Sequence, residues 1–281
     1  MPTIRSQLPP LGTPVTLDVI VPIYNEQATA TQVVEAVLSL AIPGVHIRLT
    51  VVESNSTDGS REAMQAVSTH PRVNLILEDR PAGKGLAVRK GLAVTTGDII
   101  LIQDADLEYD ITDYQRLIKP IIGGHADFVI GSRHTADSPM RQFDGQPRRA
   151  RLMNVGHRWF TRLFNTTFGS ALEDPFSMFK VFRRECILGM NFRARRFDFD
   201  WELAGKIIRR GFTPMEIPVR YESRSFDEGK KVRIFRDPVT WIWTCARCRL
   251  ERPDWSPAHE WVERAEPVKP DETLPTTAQR A

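Results

Sequence analysis

The 281-residue chain has only three cysteines, Cys186, Cys245 and Cys248, too few for a disulfide framework. Cys245 and Cys248 form a C-x-x-C, but neither a second pair nor a nearby histidine accompanies them, so no zinc or redox site is expected. Nowhere does the sequence approach the ~18 consecutive apolar residues that a membrane-spanning helix needs. The N-terminus lacks the charged-then-apolar order of a secretory signal, which leads us to expect a cytoplasmic protein. Zinc-finger and RNA-binding signatures are missing too, and no nucleic-acid partner is expected.

Charge is present but unevenly placed. Residues 1–130 hold 10 Lys/Arg against 15 Asp/Glu, residues 131–250 hold 24 against 13, and residues 251–281 hold 4 against 7. An acidic half followed by a strongly basic one implies that the second half meets an anion, such as a phosphate or an acidic lipid surface. With 41% hydrophobic and 26% charged residues, the chain suffices for one large α/β domain or two small ones. Prolines 2, 9, 10 and 14 mark residues 1–14 as a flexible arm. Residues 251–281 are rich in Pro, Glu and Thr and bury little, the composition of a disordered tail.

Between these ends, β-branched runs alternate with helical periodicity. Strands are expected at 17–21, 47–52, 73–77, 99–102 and 127–130, with helices at 33–38 (Val33, Val34, Val37 and Leu38 on one face) and near 59–68, 85–94 and 112–122. Strands separated by helices of this length give a parallel sheet covered on both faces. Beyond residue 131 the pattern predicts helices at 150–164, 201–210 and 238–250 and strands at 176–182 and 215–220. Ligands of such sheets bind where strands end. Asn25-Glu26, Glu53 to Asn55 and Asp104 to Glu108 all follow strands, and Asp104, Asp106 and Glu108 stand two apart. Like charge so concentrated at a strand tip calls for a cation, and oxygen ligands suit Mg2+ or Mn2+.

Four segments then carry a family resemblance: Val19-Ile-Val-Pro-Ile-Tyr-Asn-Glu26, Ser56-Thr-Asp-Gly-Ser60, Gly97-Asp98 running on to Asp104-Ala-Asp106-Leu-Glu-Tyr, and Arg224-Ser-Phe-Asp-Glu-Gly-Lys-Lys231. In this order they resemble inverting glycosyltransferases of family 2, with the GT-A (Rossmann-like) fold, and more closely the dolichyl- or polyprenyl-phosphate mannosyl- and glucosyltransferases. The resemblance covers residues 19–250 and implies one α/β GT-A domain over 15–250 with a mostly parallel central sheet. Its nucleotide-sugar half would be 15–130 and its acceptor half 131–250. It also implies a hexose donor of the GDP-mannose or UDP-glucose type and a polyprenyl-phosphate acceptor, with peripheral contact at the inner membrane face. A soluble enzyme acting on a hydroxyl of a glycan or small molecule, and a nucleotide-sugar-binding protein without turnover, are the alternatives.

By the same resemblance, Asp104 and Asp106 match the D-x-D motif that holds Mg2+ or Mn2+, and Glu108 can complete the metal shell. Pro22, Tyr24, Asn25, Glu26, Glu53 and Lys84 match nucleotide contacts, and Arg133, Arg224 and Lys231 match phosphate contacts. The family usually has two consecutive acids where this chain has Glu53-Ser54. Asp58 is either a helix cap or part of that nucleotide loop. Arg149 and Arg151 fall where lipid-phosphate-using relatives place an arginine, although Asn154 replaces a nearby hydroxyl. A lipid phosphate, already anionic, needs no protein base, whereas a hydroxyl acceptor does. Asp174, Asp200 and Glu202 are the candidates, with Asp200 the preferred site residue. Trp241, Ile242, Trp243, Arg247, Arg249 and Leu250 suit either a helix at a membrane interface or ordinary packing.

Overall fold

The computed structural model describes residues 8–133, 147–222 and 237–252. Seven strands form one sheet: β1 (Val15–Ile23), β2 (Val45–Glu53), β3 (Val73–Leu77), β4 (Ile99–Ile102), β5 (Phe128–Ser132), β6 (Lys180–Arg183) and β7 (Met215–Pro218), in the order β3-β2-β1-β4-β6-β5-β7. Helices α1 (Ala30–Ser39), α2 (Ser60–Val67), α3 (Lys84–Val94) and α4 (Tyr114–Ile122) link the first five strands, and α5 (Pro147–Phe168), α6 (Phe199–Arg209) and α7 (Asp237–Leu250) follow.

The strand alternation of period two sorts side chains between two cores. Along β1, Val19 and Val21 join the core on one face with Val33, Val34 and Val37 of α1 and Leu117 and Ile118 of α4. Ile20 points to the opposite core with Val88, Ile100, Ile102, Phe164 and Trp201. α3 lies close to the sheet because its inner face is small. A Cβ on Gly91 would stand 2.5 Å from Ile20 Cγ2. All four residues of β4 are buried, as expected of a central strand.

β6 is antiparallel to both β4 and β5, and the other strand pairs are parallel, which gives the mostly parallel sheet expected. Two expectations change. β6 begins at Lys180 rather than 176, because residues 174–179 form a loop whose polar groups serve the site. The second half of the supposed flexible arm is packed: Leu8 is buried in the second core, and the Arg183 guanidinium donates to the Pro9 carbonyl. Among the residues described, no helix is long and apolar enough to cross a membrane. Most of the tail, from residue 253, lies outside the described residues.

Candidate active site

The register of β1 against β2 sets Ile23 beside Glu53, and β1 against β4 sets Ile20 beside Ile102. The loops leaving these three strands therefore meet at one edge. The first two are stitched together: Asn25 N donates to Ser56 Oγ (2.9 Å), Thr57 N to Asn25 Oδ1 (2.9 Å) and Gln27 N to Asp58 Oδ2 (3.0 Å). Asn25 and Asn55 sit at φ 51° and 55°, a left-handed conformation that asparagine tolerates better than most residues. Asp58 also accepts from Ser60 N at 3.0 Å, so it both starts α2 and ties the two loops. Tyr24 is exposed, and Pro22, Asn25 and Glu26 are half-buried on the same loop.

Glu53 takes a different place from the one its spacing suggests. It is fully buried and accepts from Asn55 N, Ser56 N and Arg61 Nη1 at 3.2, 2.6 and 3.0 Å. It supports the turn at residues 54–56 from beneath. Ser54, the departure from the family pattern, donates to Glu78 Oε2 at 2.6 Å. Arg61 also donates to the Glu78 carbonyl, joining β2 and β3 ends. Sequence reasoning passed over Arg61, which reads as an ordinary helix-surface cation.

In the acidic loop, Lys84 from the first turn of α3 pairs with Asp104 Oδ1 at 2.5 Å. Burial alone would lower the Lys84 ammonium, but Asp104, Asp200 and Asp106 more than offset it and its pKa rises. Asp106 is pushed up to about 7 by burial and by the neighbouring Asp104 and Glu108 carboxylates. Glu108 accepts from the Tyr221 hydroxyl at 2.7 Å, and Thr29 Oγ1 donates to the Ala105 carbonyl at 2.6 Å. Among the described residues, no group of three or more His, Cys, Asp or Glu side chains is arranged to hold a metal by itself. An Asp106 carboxyl held up by its acidic neighbours still fits a divalent ion, provided donor phosphate oxygens and water complete its shell.

The basic half closes the other side. Arg133, just past β5, donates through N, Nε and Nη2 to Asp174 at 3.1, 2.7 and 2.7 Å, and stands over the Tyr221 ring at 5.4 Å. Asp174 is fully buried in this fork, which withdraws it from the candidate bases. Glu202 is withdrawn as well. It is fully buried, accepts from Arg193 N and Ala194 N at 2.8 and 2.6 Å, and pairs with Arg247 and Lys206 at 3.0 and 3.2 Å. Asp200 remains. It lies 4.0 Å from the ammonium of Lys180, its Oδ1 makes no hydrogen bond, and burial raises its pKa against the pull of Lys180 and Lys84. Lys180 is itself fully buried, and burial lowers its pKa. A lysine within the apolar run Phe179-Lys180-Val181-Phe182 was the available signal for it.

The loop bearing Arg224, Lys230 and Lys231 lies outside the described residues, as does the side chain of Arg149. Trp241 is packed rather than interfacial, stacked on Trp201 at 5.6 Å. Burial pushes the Cys245 and Cys248 thiols up to about 12 and about 11, which leaves them protonated and inert.

A GT-A sheet with an acidic loop at its carboxyl edge and a basic wall opposite defines a glycosyltransferase. Within that class, the chain belongs to Glycosyl transferase family 2, whose family profile matches residues 18–188. It is 28% identical over 215 residues to glycosyltransferase AglJ of Haloferax volcanii, covering 76% of this chain and 65% of that protein. It is 27% identical over 219 residues to undecaprenyl-phosphate 4-deoxy-4-formamido-L-arabinose transferase of Enterobacter sp., covering 76% and 62%. The chain thus spans less than two thirds of the length of either relative. In fold it matches glucosyl-3-phosphoglycerate synthase from Mycobacterium tuberculosis in complex with Mg2+ and uridine diphosphate (TM-score 0.62, 21% identity, 87% and 88% covered). The same synthase with Mn2+, UDP-glucose and phosphoglyceric acid gives a TM-score of 0.60 at 21% identity, with 88% of each chain covered.

Proposed function

We propose that the protein moves a hexose from a nucleotide-diphosphate sugar of the UDP-glucose or GDP-mannose type to a polyprenyl phosphate, with inversion, at the inner face of the cytoplasmic membrane. The observation that carries the proposal is the pairing of Lys84 with the Asp104–Asp106 loop, facing Asp200 and Lys180 across the same edge. Named relatives support it: one uses undecaprenyl phosphate, and the solved neighbours hold UDP, UDP-glucose and Mg2+ or Mn2+.

Asp104 and Asp106 would hold the Mg2+ or Mn2+, with Glu108 at its margin. The ion would supply charge neutralisation on the leaving diphosphate and a template for it. The loops at Pro22 to Glu26 and Ser54 to Ser60 hold the nucleoside. Lys84 is placed to exchange Asp104 for a donor phosphate. Arg133, fixed by Asp174, and Lys180 put positive charge where an anionic acceptor arrives. Such an acceptor attacks the anomeric carbon without a base, and Asp200 then orients it. Incubation with Mn2+, labelled nucleotide sugars and a short polyprenyl phosphate tests this. A labelled, solvent-extractable lipid is expected, and label found only in water-soluble product would reject the lipid acceptor.

One observation favours a second hypothesis, transfer to a hydroxyl. The raised pKa of Asp200 and its unbonded Oδ1 suit a general base. Asp200→Asn separates the two. It should lower lipid transfer by less than about tenfold, mainly through KM, but hydroxyl transfer by about 100-fold or more in kcat.

A further inference from the structure

Six of the ten large apolar side chains exposed among the described residues belong to two helices. They are Val155 and Trp159 on α5, and Val239, Ile242, Trp243 and Leu250 on α7. On each helix they recur at spacings of three and four residues and so form one outward face. The exposed α5 face interleaves Arg151, Arg158 and Arg162 with Val155 and Trp159. α7 adds the exposed Arg249. Across both helices the only acidic residue is Asp237, at the first position of α7. The two helices pack against one another through their inner sides, leaving both apolar, arginine-bearing faces outward. The Trp159 ring lies 5.0 Å from that of Phe160, which lies 5.2 Å from that of Trp241. Arg158 and Arg162 also line, with His157, Thr166 and, at the far side, the exposed Glu173, an open cleft of about 520 Å3.

Isolated exposed apolar residues are ordinary, but tryptophan and valine on successive turns, flanked by arginines and lacking acids, are not. Such a face offers rings at headgroup depth, guanidinium groups to anionic headgroups, and aliphatic stems between them. Pairing with a second copy about a two-fold axis would set this arginine-rich face against itself, which its charge opposes. We infer that the outward faces of α5 and α7 dock on an anionic lipid bilayer, with the Arg158–Arg162 side of the cleft receiving a phosphate headgroup. This deepens the lipid-phosphate proposal and rests on it for the acceptor's location, because His157 on the same helix lies 3.8 Å from the Asp174 that holds Arg133.

Cosedimentation of the full chain with phosphatidylcholine vesicles, with and without phosphatidylglycerol, is the test. Binding should require phosphatidylglycerol, weaken with salt, and fall about tenfold or more in Trp159→Ser/Trp243→Ser. Arg158→Ser/Arg162→Ser should lose most of the salt dependence. Both pairs are exposed, so circular dichroism should be unchanged. Absence of binding, equal binding to neutral vesicles, or binding indifferent to both double variants overturns the inference. So does light scattering that finds a wild-type dimer and a monomeric tryptophan variant. No donor is present, so vesicle binding without labelled lipid in the transfer assay counts against the acceptor alone. Transfer to a short acceptor dissolved in detergent should be intact in Trp159→Ser/Trp243→Ser.

Discussion

Burial and two neighbouring carboxylates oppose the charge on Asp106, so ionising it is costly to the metal-free protein. Its raised pKa means that the stability it contributes is complete below the ordinary carboxylate range and is lost as pH rises through about 7. Asp106→Asn should therefore stabilise the metal-free fold by about 1–2 kcal/mol at about pH 8 and hardly at all near pH 4. The same change should cut transfer at least about 100-fold. Melting curves at both pH values check the first part, and equal shifts would count against it. The Arg133–Asp174 fork behaves in the opposite sense. Asp174→Ala strands a buried guanidinium and should cost about 3–5 kcal/mol in urea unfolding. The sequence marks both aspartates alike, as acids near strand ends. Whether a carboxylate's oxygens face a cleft or a loop's own amides depends on backbone turns several residues away. That is why Glu53 and Glu202 were legible as important positions but not as supports.

At the level of elements, α3 shows how packing sets the position of Lys84. A Cβ on Gly85 would lie 2.7 Å from both the Arg196 carbonyl and Phe199 Cβ, so the first turn of α3 touches the start of α6 directly. Gly85→Ala should push that turn outward, cost about 1–3 kcal/mol, and raise the donor KM by displacing Lys84. Gly156 is the contrast, since nothing lies within 4 Å of its added Cβ. Gly156→Ala should be neutral or stabilise α5 by up to about 1 kcal/mol. Thermal melts and donor titrations of the pair separate crowding from helix propensity. β3 and β4 occupy the spans their apolar runs predict, although only β4 is buried and β3 is a half-exposed edge strand. The direction of β6 was not legible, for four apolar-flanked residues look the same entered from either end.

Across the whole molecule, charge divides the labour. The acidic half has carboxylates without a complete metal shell, and the basic half carries more cations than its own carboxylates balance, 24 against 13. Metal and donor should therefore bind as a unit. Mn2+ alone should move the melting temperature little, while Mn2+ with the correct nucleotide sugar at about 100 Kd should add roughly 2.7 kcal/mol of stability. Differential scanning fluorimetry over a donor panel measures this, and a full shift from Mn2+ alone would refute the shared site.

The placement of β6 reaches beyond catalysis. Because it runs between β4 and β5, hydrogen-bonded to both, the chain's later residues fill the middle of the earlier sheet. No cut near residue 130 yields two pieces with closed edges: one would carry a bare β4, and the other a β5 torn from its own half. Acceptor preference therefore cannot be transplanted between relatives by exchanging C-terminal halves. It has to be re-engineered in place, through the loops at the carboxyl edge and the outer faces of α5 and α7.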